Sequence, residues 1–260
     1  NQFRTAQSLS AMKNISSNQA SDKLIFALDA KSYEDALSWI ELLSGHVGMF
    51  KVGKELFTAV GPQIVQSIKE RSQKVFLDLK FHDIPNTVAG AAESAVNIGV
   101  DMFNVHASGG SQMIKGAVLA ASECADKLGR PKPIVLAVTV LTSLNNDDLK
   151  AIGFQQSTGE LVLHLAGLAK EAGASGVVAS PQDISILRKN LGNDFVIVTP
   201  GIRSANEAKK DDQKRTLSAY DAIKAGADYI VVGRPIRAAK DPLAACRQIV
   251  QEIAKGLAAR

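Results

Sequence analysis

The sequence is poor in the residues that define several large classes of protein. Only two of its 260 residues are cysteine, and only 5% are aromatic. It contains no run of about 18 apolar residues, so no membrane-spanning helix is expected. Glycine and proline occur at ordinary frequency, with 20 and 8 residues respectively. These observations exclude a disulfide-stapled small protein, a collagen-like chain and a largely disordered chain.

The charged residues are close to balance. Lys and Arg together number 30 and Asp and Glu 26, which gives a formal charge of +4. Because the two signs are interspersed along the chain and base-stacking aromatic residues are few, a nucleic-acid-binding domain is not favoured. The small positive excess is compatible with an anionic ligand.

The cysteines and histidines form no pattern typical of a metal site. Cys124 and Cys246 each lie among alanine and other apolar residues of a predicted helix. This favours buried thiols in a reducing compartment, and we expect a cytoplasmic protein. The four histidines form no H-E-x-x-H motif or comparable cluster, so we expect no metal ion.

The first 22 residues differ from the rest of the chain. They are rich in Ser, Asn and Gln and show no apolar periodicity. We therefore predict a disordered tail over residues 1–22. A signal peptide is not predicted, because this segment lacks a basic start followed by an apolar run. Residues 23–260 are predicted to form one domain.

From Leu24 onward, short apolar runs alternate with stretches of helical periodicity. The runs have the length, the β-branched content and the near-continuous apolarity of parallel strands that are covered on both faces. They span residues 24–29, 49–53, 74–80, 102–107, 134–139, 176–180, 195–201 and 229–234.

The segments between these runs have the features of helices. Residues 33–43 place Ala36, Leu37, Ile40 and Leu43 on one stripe. Glycine, which favours helix C-termini, marks the expected ends of five helices. These glycines are Gly99, Gly129, Gly173, Gly192 and Gly226.

Eight strand–helix units in about 240 residues match the (β/α)8 TIM barrel in number and length. The rival α/β architecture is a doubly wound open sheet, which usually carries G-x-G-x-x-G after its first strand. Here that position reads LDAKSYED (residues 28–35). We therefore predict a single-domain (β/α)8 barrel.

Polar residues cluster at the ends of the first four predicted strands. Because strand side chains alternate, Val75, Leu77 and Leu79 share one face of the third strand, and Phe76, Asp78 and Lys80 share the other. The polar face would point into the mouth of the barrel, where barrel enzymes place their chemistry. The residues at these strand ends are Asp29, Lys51, Asp78, Lys80, Asn104 and His106.

A near-match to a phosphate-binding loop occurs at residues 48–55, GMFKVGKE. The pattern G-x-x-x-x-G-K-[ST] fails at Glu55, where a magnesium-binding hydroxyl is required. The inner residues also have the composition of a strand. Nucleotide hydrolysis is therefore not predicted.

The densest cluster of ionisable residues is DLKFHDIPNT (residues 78–87), in which Pro85 is suited to begin a helix. Nearby carboxylates keep a lysine protonated, so Lys80 between Asp78 and Asp83 is unsuited to Schiff-base chemistry and suited to donating a proton. A surface cluster of ion pairs is the alternative interpretation.

The last two strands are followed by candidate phosphate ligands. Gly233 allows close backbone approach, and Arg203 and Arg234 offer guanidinium groups to a phosphate. These arginines could instead pair with helix carbonyls or acids.

The hydrophilic residues 204–216 are either a solvated loop or a lid over the ligand. Thr142 and Ser143 could bind a heterocycle or cap the next segment.

Seven blocks of this sequence, in consistent order between residue 24 and about residue 250, resemble the bacterial orotidine 5′-phosphate decarboxylase family. They are ALD (27–29), FKVGKELF (50–57), DLKFHDIPNT (78–87), NVHASGG (104–110), AVTVLTS (137–143), VTPGIR (198–203) and VVGRP (231–235). The resemblance implies a (β/α)8 barrel that converts orotidine 5′-monophosphate to uridine 5′-monophosphate without a cofactor or metal ion.

The resemblance also implies catalytic roles for four residues. Lys80 would donate the proton to C6 of the pyrimidine, and Asp78 would lie beside the substrate carboxylate. Lys51 would join them in a network of alternating charge. Asp83 would reach the active site of a neighbouring subunit, which implies a homodimer with shared sites.

The remaining roles implied by the resemblance concern substrate binding. Asp29 and Lys51 would bind the ribose hydroxyls, assisted by Thr87 of the other subunit, and Thr142 would contact the base. The 5′-phosphate would be bound by four residues, namely Arg203, Gln213, Gly233 and Arg234.

One enzymatic alternative shares the D-x-K-x-x-D barrel. Such a relative acts on a sugar phosphate through a metal-bound enediolate. Dependence on a divalent metal ion separates that reaction from the cofactor-free decarboxylation.

Overall fold

The computed structural model describes residues 17–202 and 217–260 and contains a closed barrel of eight parallel strands. Each strand pairs with its neighbours in chain order, and β1 also pairs with β8. The strands are β1 (Leu24–Ala27), β2 (Met49–Gly53), β3 (Val75–Phe81), β4 (Met102–His106), β5 (Ile134–Val138), β6 (Gly176–Val178), β7 (Val196–Thr199) and β8 (Tyr229–Val232). The predicted (β/α)8 barrel is confirmed, and each strand lies within its predicted run or within one residue of it.

Helices connect successive strands and surround the barrel. They are α1 (Ser17–Ser21), α2 (Tyr33–Leu43), α3 (Lys54–Val60), α4 (Gln63–Glu70), α5 (Pro85–Asn97), α6 (Gly110–Leu128), α7 (Asn146–Ala151), α8 (Thr158–Glu171), α9 (Ile184–Leu191), α10 (Ala219–Ala225), α11 (Arg234–Arg237) and α12 (Pro242–Ala258). The near-match to a phosphate-binding loop forms β2 and the start of α3, which confirms that it is not such a loop.

The helix boundaries follow the sequence signals. Ser32 caps α2 by accepting the N–H of Asp35, and Asn145 and Ser157 form capping boxes at α7 and α8. Gly129 and Gly226 end α6 and α10 in left-handed conformations that cost glycine little. Both predicted helix stops are confirmed.

Two apolar layers hold the barrel together. Side chains that point inward fill its interior, including Phe76 of β3. Side chains that point outward, including Val75 and Leu77, pack against the surrounding helices. The predicted assignment of the two faces of β3 is therefore confirmed at these positions, and the inward face continues towards Asp78 at the carboxyl end of the strand.

At the amino end of the barrel, side-chain oxygens of three residues accept backbone N–H groups of neighbouring strands. Asp101, Ser175 and Asp228 precede β4, β6 and β8, and each accepts a backbone N–H from the preceding strand at 2.8, 3.1 and 2.8 Å. The donors are Val75, Val135 and Ile197. Asp101 also binds the ammonium of Lys69, and Asp228 binds the guanidinium of Arg188. Polar groups at this end of the barrel therefore secure strand pairing.

The chain before β1 differs from the sequence prediction. Residues 17–21 form α1, which packs against α12, and Ala20 is fully buried. The predicted disorder therefore does not extend through residue 22, because tertiary packing orders a segment that lacks apolar periodicity. Residues 1–16 lie outside the described part of the chain.

Cys124 and Cys246 are buried free thiols, as predicted. Burial raises the pKa of the Cys246 thiol to about 11, so the thiol stays protonated near neutral pH. Within residues 17–202 and 217–260, no helix has both the length and the apolar character needed to cross a membrane.

We predict that Gly176→Ala destabilises the barrel. A Cβ at this position of β6 would lie 2.1 Å from the carbonyl oxygen of Val196 in β7, which forces the two paired strands apart. We expect the free energy of unfolding to fall by about 2–3 kcal/mol, measured by urea denaturation.

The matched control is Gly167→Ala in α8, where a Cβ would have no atom within 4 Å. This change should raise the free energy of unfolding by about 0.5–1 kcal/mol, since alanine favours helix. Equal effects at the two glycines would contradict the steric explanation.

Candidate active site

The carboxylate of Asp78 is the centre of a polar network at the mouth of the barrel. Its Oδ1 accepts from Lys80 Nζ at 2.6 Å and from Asn104 Nδ2 at 2.7 Å. Its Oδ2 lies 3.4 Å from Lys51 Nζ. One carboxylate therefore contacts two ammonium groups and an amide.

This network continues across the barrel mouth as alternating charges. Lys51 Nζ also lies 3.4 Å from Asp29 Oδ1, and Asp29 Oδ2 lies 3.8 Å from Arg237 Nη1. The side chains of Lys51 and Asp78 are only 12% and 14% exposed. Opposite charges at these distances offset the cost of removing them from water. Asp29, Lys51, Asp78 and Lys80, which the sequence placed at one rim, are thus brought together as predicted.

An irregularity in β3 sets the direction of the Lys80 side chain. The pairing of β3 with β4 changes register between Leu77 and Phe81, and Lys80 has a φ of 53°. A left-handed conformation is unfavourable for a residue with a side chain. The Lys80 N–H donates to Asn104 Oδ1 at 2.8 Å, which stabilises the backbone in this conformation.

Asn104 was not predicted as a site residue, although it was recognised among the polar strand ends. It is fully buried on β4, and its amide contacts both the Lys80 backbone and the Asp78 carboxylate. The available signal was its position two residues after Met102, whose side chain lies in the barrel interior. Period-two alternation places Asn104 on the same inward face.

A cavity of about 230 Å³ opens beside the charged network. Its polar lining includes Lys51, Asp78, Lys80 and Thr142, so Thr142 shares the cavity with the charged residues. The rest of the wall is mainly apolar and consists of Phe76, Val138, Val140, Leu141, Val178, Ala179, Pro200 and Val231. Apolar walls strengthen electrostatic interactions with a bound molecule.

Two predicted residues lie on the exposed surface after β3. Asp83 is exposed and accepts the N–H of Ile84 at 2.6 Å, and Thr87 is exposed in the first turn of α5. Ile84 between them is 67% exposed, which is unusual for its apolar side chain. The single chain thus presents Asp83 and Thr87 outward.

The candidate phosphate ligands are divided between described and undescribed parts of the chain. Gly233 lies between β8 and α11, where a Cβ would lie 3.2 Å from Ala27 Cβ and 3.6 Å from Asp29 Oδ2. Arg234 begins α11 and is exposed. Arg203 and Gln213 lie outside the described residues, as does the segment 204–216 that contains the predicted loop or lid.

A pair of histidine rings adjoins the charged network. The rings of His82 and His106 have centroids 5.4 Å apart and an interplanar angle of 40°. His106 is half-buried, and its pKa is lowered first by burial, then by His82, Lys54 and Lys80. His106 was recognised at a predicted strand end, but its pairing with His82 was not predicted from the sequence.

Among residues 17–202 and 217–260, no three His, Cys, Asp or Glu side chains are grouped so as to bind a metal ion. The expected absence of a metal ion and of a cofactor stays a prediction.

Acids and lysines on the carboxyl ends of barrel strands, facing one cavity, define a (β/α)8-barrel enzyme. The profile of the family described as orotidine 5′-phosphate decarboxylase / HUMPS matches residues 22–249. The chain belongs to this family.

Individual relatives agree with this assignment. The chain is 57% identical over 249 residues to a protein of Syntrophus aciditrophicus named orotidine 5′-phosphate decarboxylase, covering 95% of this chain and 99% of the relative. The crystal structure of orotidine 5′-phosphate decarboxylase from Lactobacillus acidophilus matches with a TM-score of 0.79 and 40% identity, over 88% of this chain and 98% of that one. A structure of an uncharacterized conserved protein from Geobacillus kaustophilus matches with a TM-score of 0.77 and 35% identity, over 88% and 99% of the two chains.

We predict that Asn104→Ala destabilises the protein because it removes one of the two donors to Asp78 Oδ1 and leaves the Lys80 backbone N–H without its acceptor inside the barrel. The free energy of unfolding should fall by about 2–3 kcal/mol in urea denaturation. Asn190→Ala, at an exposed position of α9, should change it by less than about 0.5 kcal/mol. Equal stability of the two variants would show that the Asn104 contacts are unimportant.

Proposed function

We propose that the protein decarboxylates orotidine 5′-monophosphate to uridine 5′-monophosphate, in pyrimidine nucleotide synthesis. The observation that carries this proposal is the Asp78 carboxylate between the ammonium groups of Lys51 and Lys80, beside a cavity with apolar walls. Relatives that are named for this activity and match nearly the whole chain support it. A cytoplasmic location stays a prediction.

In the proposed reaction, the bond between C6 of the pyrimidine and its carboxylate breaks and carbon dioxide leaves. The bonding electron pair remains on C6 in an sp2 orbital that the ring delocalises poorly. The ammonium of Lys80 stabilises this negative charge and then donates a proton to C6. The resulting Lys80 amine regains its proton from solvent. The enzyme gains and loses no electrons in the reaction.

Asp78 is proposed to position Lys80 and to lie beside the substrate carboxylate. Its 2.6 Å contact with Lys80 Nζ supports the first role, because it fixes the ammonium before the substrate binds. Placing the substrate carboxylate next to Asp78 adds repulsion that is relieved when carbon dioxide leaves. Lys51 bridges Asp78 and Asp29 and thereby balances both carboxylates.

The substrate is proposed to extend from the charged network towards β8. Asp29 and Lys51 would bind the ribose hydroxyls, and Thr142 would contact the base. The phosphate would bind at Gly233 and Arg234, with Arg203 and Gln213 completing the set. Binding energy from this phosphate, remote from C6, would contribute to catalysis.

A homodimer with shared sites is part of the proposal. Asp83 and Thr87 are exposed in the single chain, as expected of residues that act in the partner's site. The 67% exposure of Ile84 supports burial of this segment against a second subunit.

The proposed activity is tested by mixing purified protein with orotidine 5′-monophosphate and measuring uridine 5′-monophosphate and carbon dioxide. We expect turnover to be unaffected by EDTA and nearly abolished in Lys80→Ala, with the fold intact by circular dichroism. Lys189→Ala, at an exposed site on α9, should behave like the wild type.

Activity in Lys80→Ala would exclude Lys80 as the proton donor. Loss of activity in EDTA that returns with a divalent cation would contradict the cofactor-free reaction. The sugar-phosphate alternative would be supported by no turnover of orotidine 5′-monophosphate together with metal-dependent turnover of a sugar phosphate.

Shared sites predict complementation between inactive variants. When Lys80→Ala and Asp83→Ala subunits are mixed and allowed to exchange, each heterodimer should contain one intact site. Activity should recover to about a quarter of that of the wild type. The control is a mixture of Lys80→Ala and Asp78→Ala, whose lesions lie in the same chain of each site, so both heterodimer sites stay defective. No recovery in the first mixture would argue against shared sites.

A further inference from the structure

The paired imidazoles of His82 and His106 connect two loops at the mouth of the barrel. His106 ends β4, and His82 lies in the loop that follows β3. Their ring centroids are 5.4 Å apart, which is within the range of aromatic pairing. The loop that carries Asp83 is thereby packed against the end of the neighbouring strand.

The His82 ring also lies close to the turn that follows β4. A Cβ on Gly109 would lie 3.2 Å from His82 Cδ2 and still closer to the side chain of Met113. Glycine at this position therefore leaves room for the ring. His82 is itself exposed, and its contacts with His106 and the Gly109 turn hold the residue immediately before Asp83 against the end of β4.

We propose that His82 and His106 are positioning residues whose paired rings fix the loop bearing Asp83 so that its carboxylate reaches the active site of the partner subunit. This inference rests on the proposed function, since it assigns Asp83 the role in a shared site described above.

The charges around His106 favour the neutral form of its ring. Besides His82, it faces the ammonium groups of Lys54 at the start of α3 and Lys80 on β3, and the carboxylate of Asp78 on β3. A proton on His106 would place a third positive charge near these two lysines in a half-buried position. Burial and the neighbouring cations lower the pKa of His106, so the ring is neutral near pH 7 and is protonated only in more acidic solution.

The first test is the pH profile of kcat and KM with orotidine 5′-monophosphate. His106→Asn removes the ring and should lower kcat at pH 8 by about tenfold or more, with a smaller change in KM. His106→Phe keeps a ring without a titratable nitrogen. It should lose less activity than His106→Asn, and its acid limb should lie at least about one pH unit below that of the wild type.

The decisive test asks in which subunit His106 acts. If His106 acts through Asp83, mixing His106→Asn with Lys80→Ala should restore activity to about a quarter of that of the wild type, because one site of each heterodimer then has an intact Lys80 and a correctly placed Asp83. If His106 acted on Lys80 of its own chain, the mixture would stay inactive. His106→Phe with Lys80→Ala provides the same comparison if His106→Asn does not fold.

His164→Gln, at an exposed position of α8, is the control and should leave the profile unchanged. Unchanged kcat in His106→Asn, an unmoved acid limb in His106→Phe, or no recovery on mixing would each overturn the inference. If the wild type itself does not produce uridine 5′-monophosphate at any pH, the proposed function fails instead. The two failures are therefore distinguishable.

Discussion

The contacts of the Asp78 carboxylate determine the geometry of the charged network at the barrel mouth. Its two oxygens bind the Lys80 ammonium, the Asn104 amide and the Lys51 ammonium, at 2.6, 2.7 and 3.4 Å. Without it, two like charges would face each other beside apolar walls, where repulsion is poorly screened. The group that compensates these charges also fixes the direction of each ammonium. The contacts within the charged network therefore preorganise it, which is the condition for electrostatic catalysis.

The two ends of the barrel use polar groups for different purposes. At the amino end, Asp101, Ser175 and Asp228 accept backbone N–H groups and so complete strand pairing. At the carboxyl end, Asp78 and its neighbours bind one another around a cavity. A change at the first end should therefore lower stability, whereas a change at the second should alter the proposed chemistry and, at buried Asn104, stability as well. This separation allows a site of concentrated charge to be carried on a barrel that is stabilised elsewhere.

The features that could be predicted from the sequence are the repeated strand–helix units and the alternation of side chains along a strand. Strand-length apolar runs predicted the barrel, and period-two alternation predicted that Asp78 and Lys80 point inward, because both signals depend only on near neighbours in the chain. The shift in register before Phe81 arises from pairing with β4 and has no local signature. The contacts of Asn104 and of the His82–His106 pair were missed for the same reason, since their partners lie on a neighbouring strand or loop. The roles of the predicted site residues, including those of Arg203 and Gln213, stay predictions.

The left-handed backbone at Lys80 makes stability and the proposed chemistry favour different residues at this position. A side chain in this conformation costs about 1 kcal/mol that glycine would avoid. Selection for a higher free energy of unfolding alone would therefore replace Lys80, on which the proposed chemistry depends. In a lineage released from that chemistry, we expect this position to drift to glycine or asparagine early, while the barrel becomes harder to unfold.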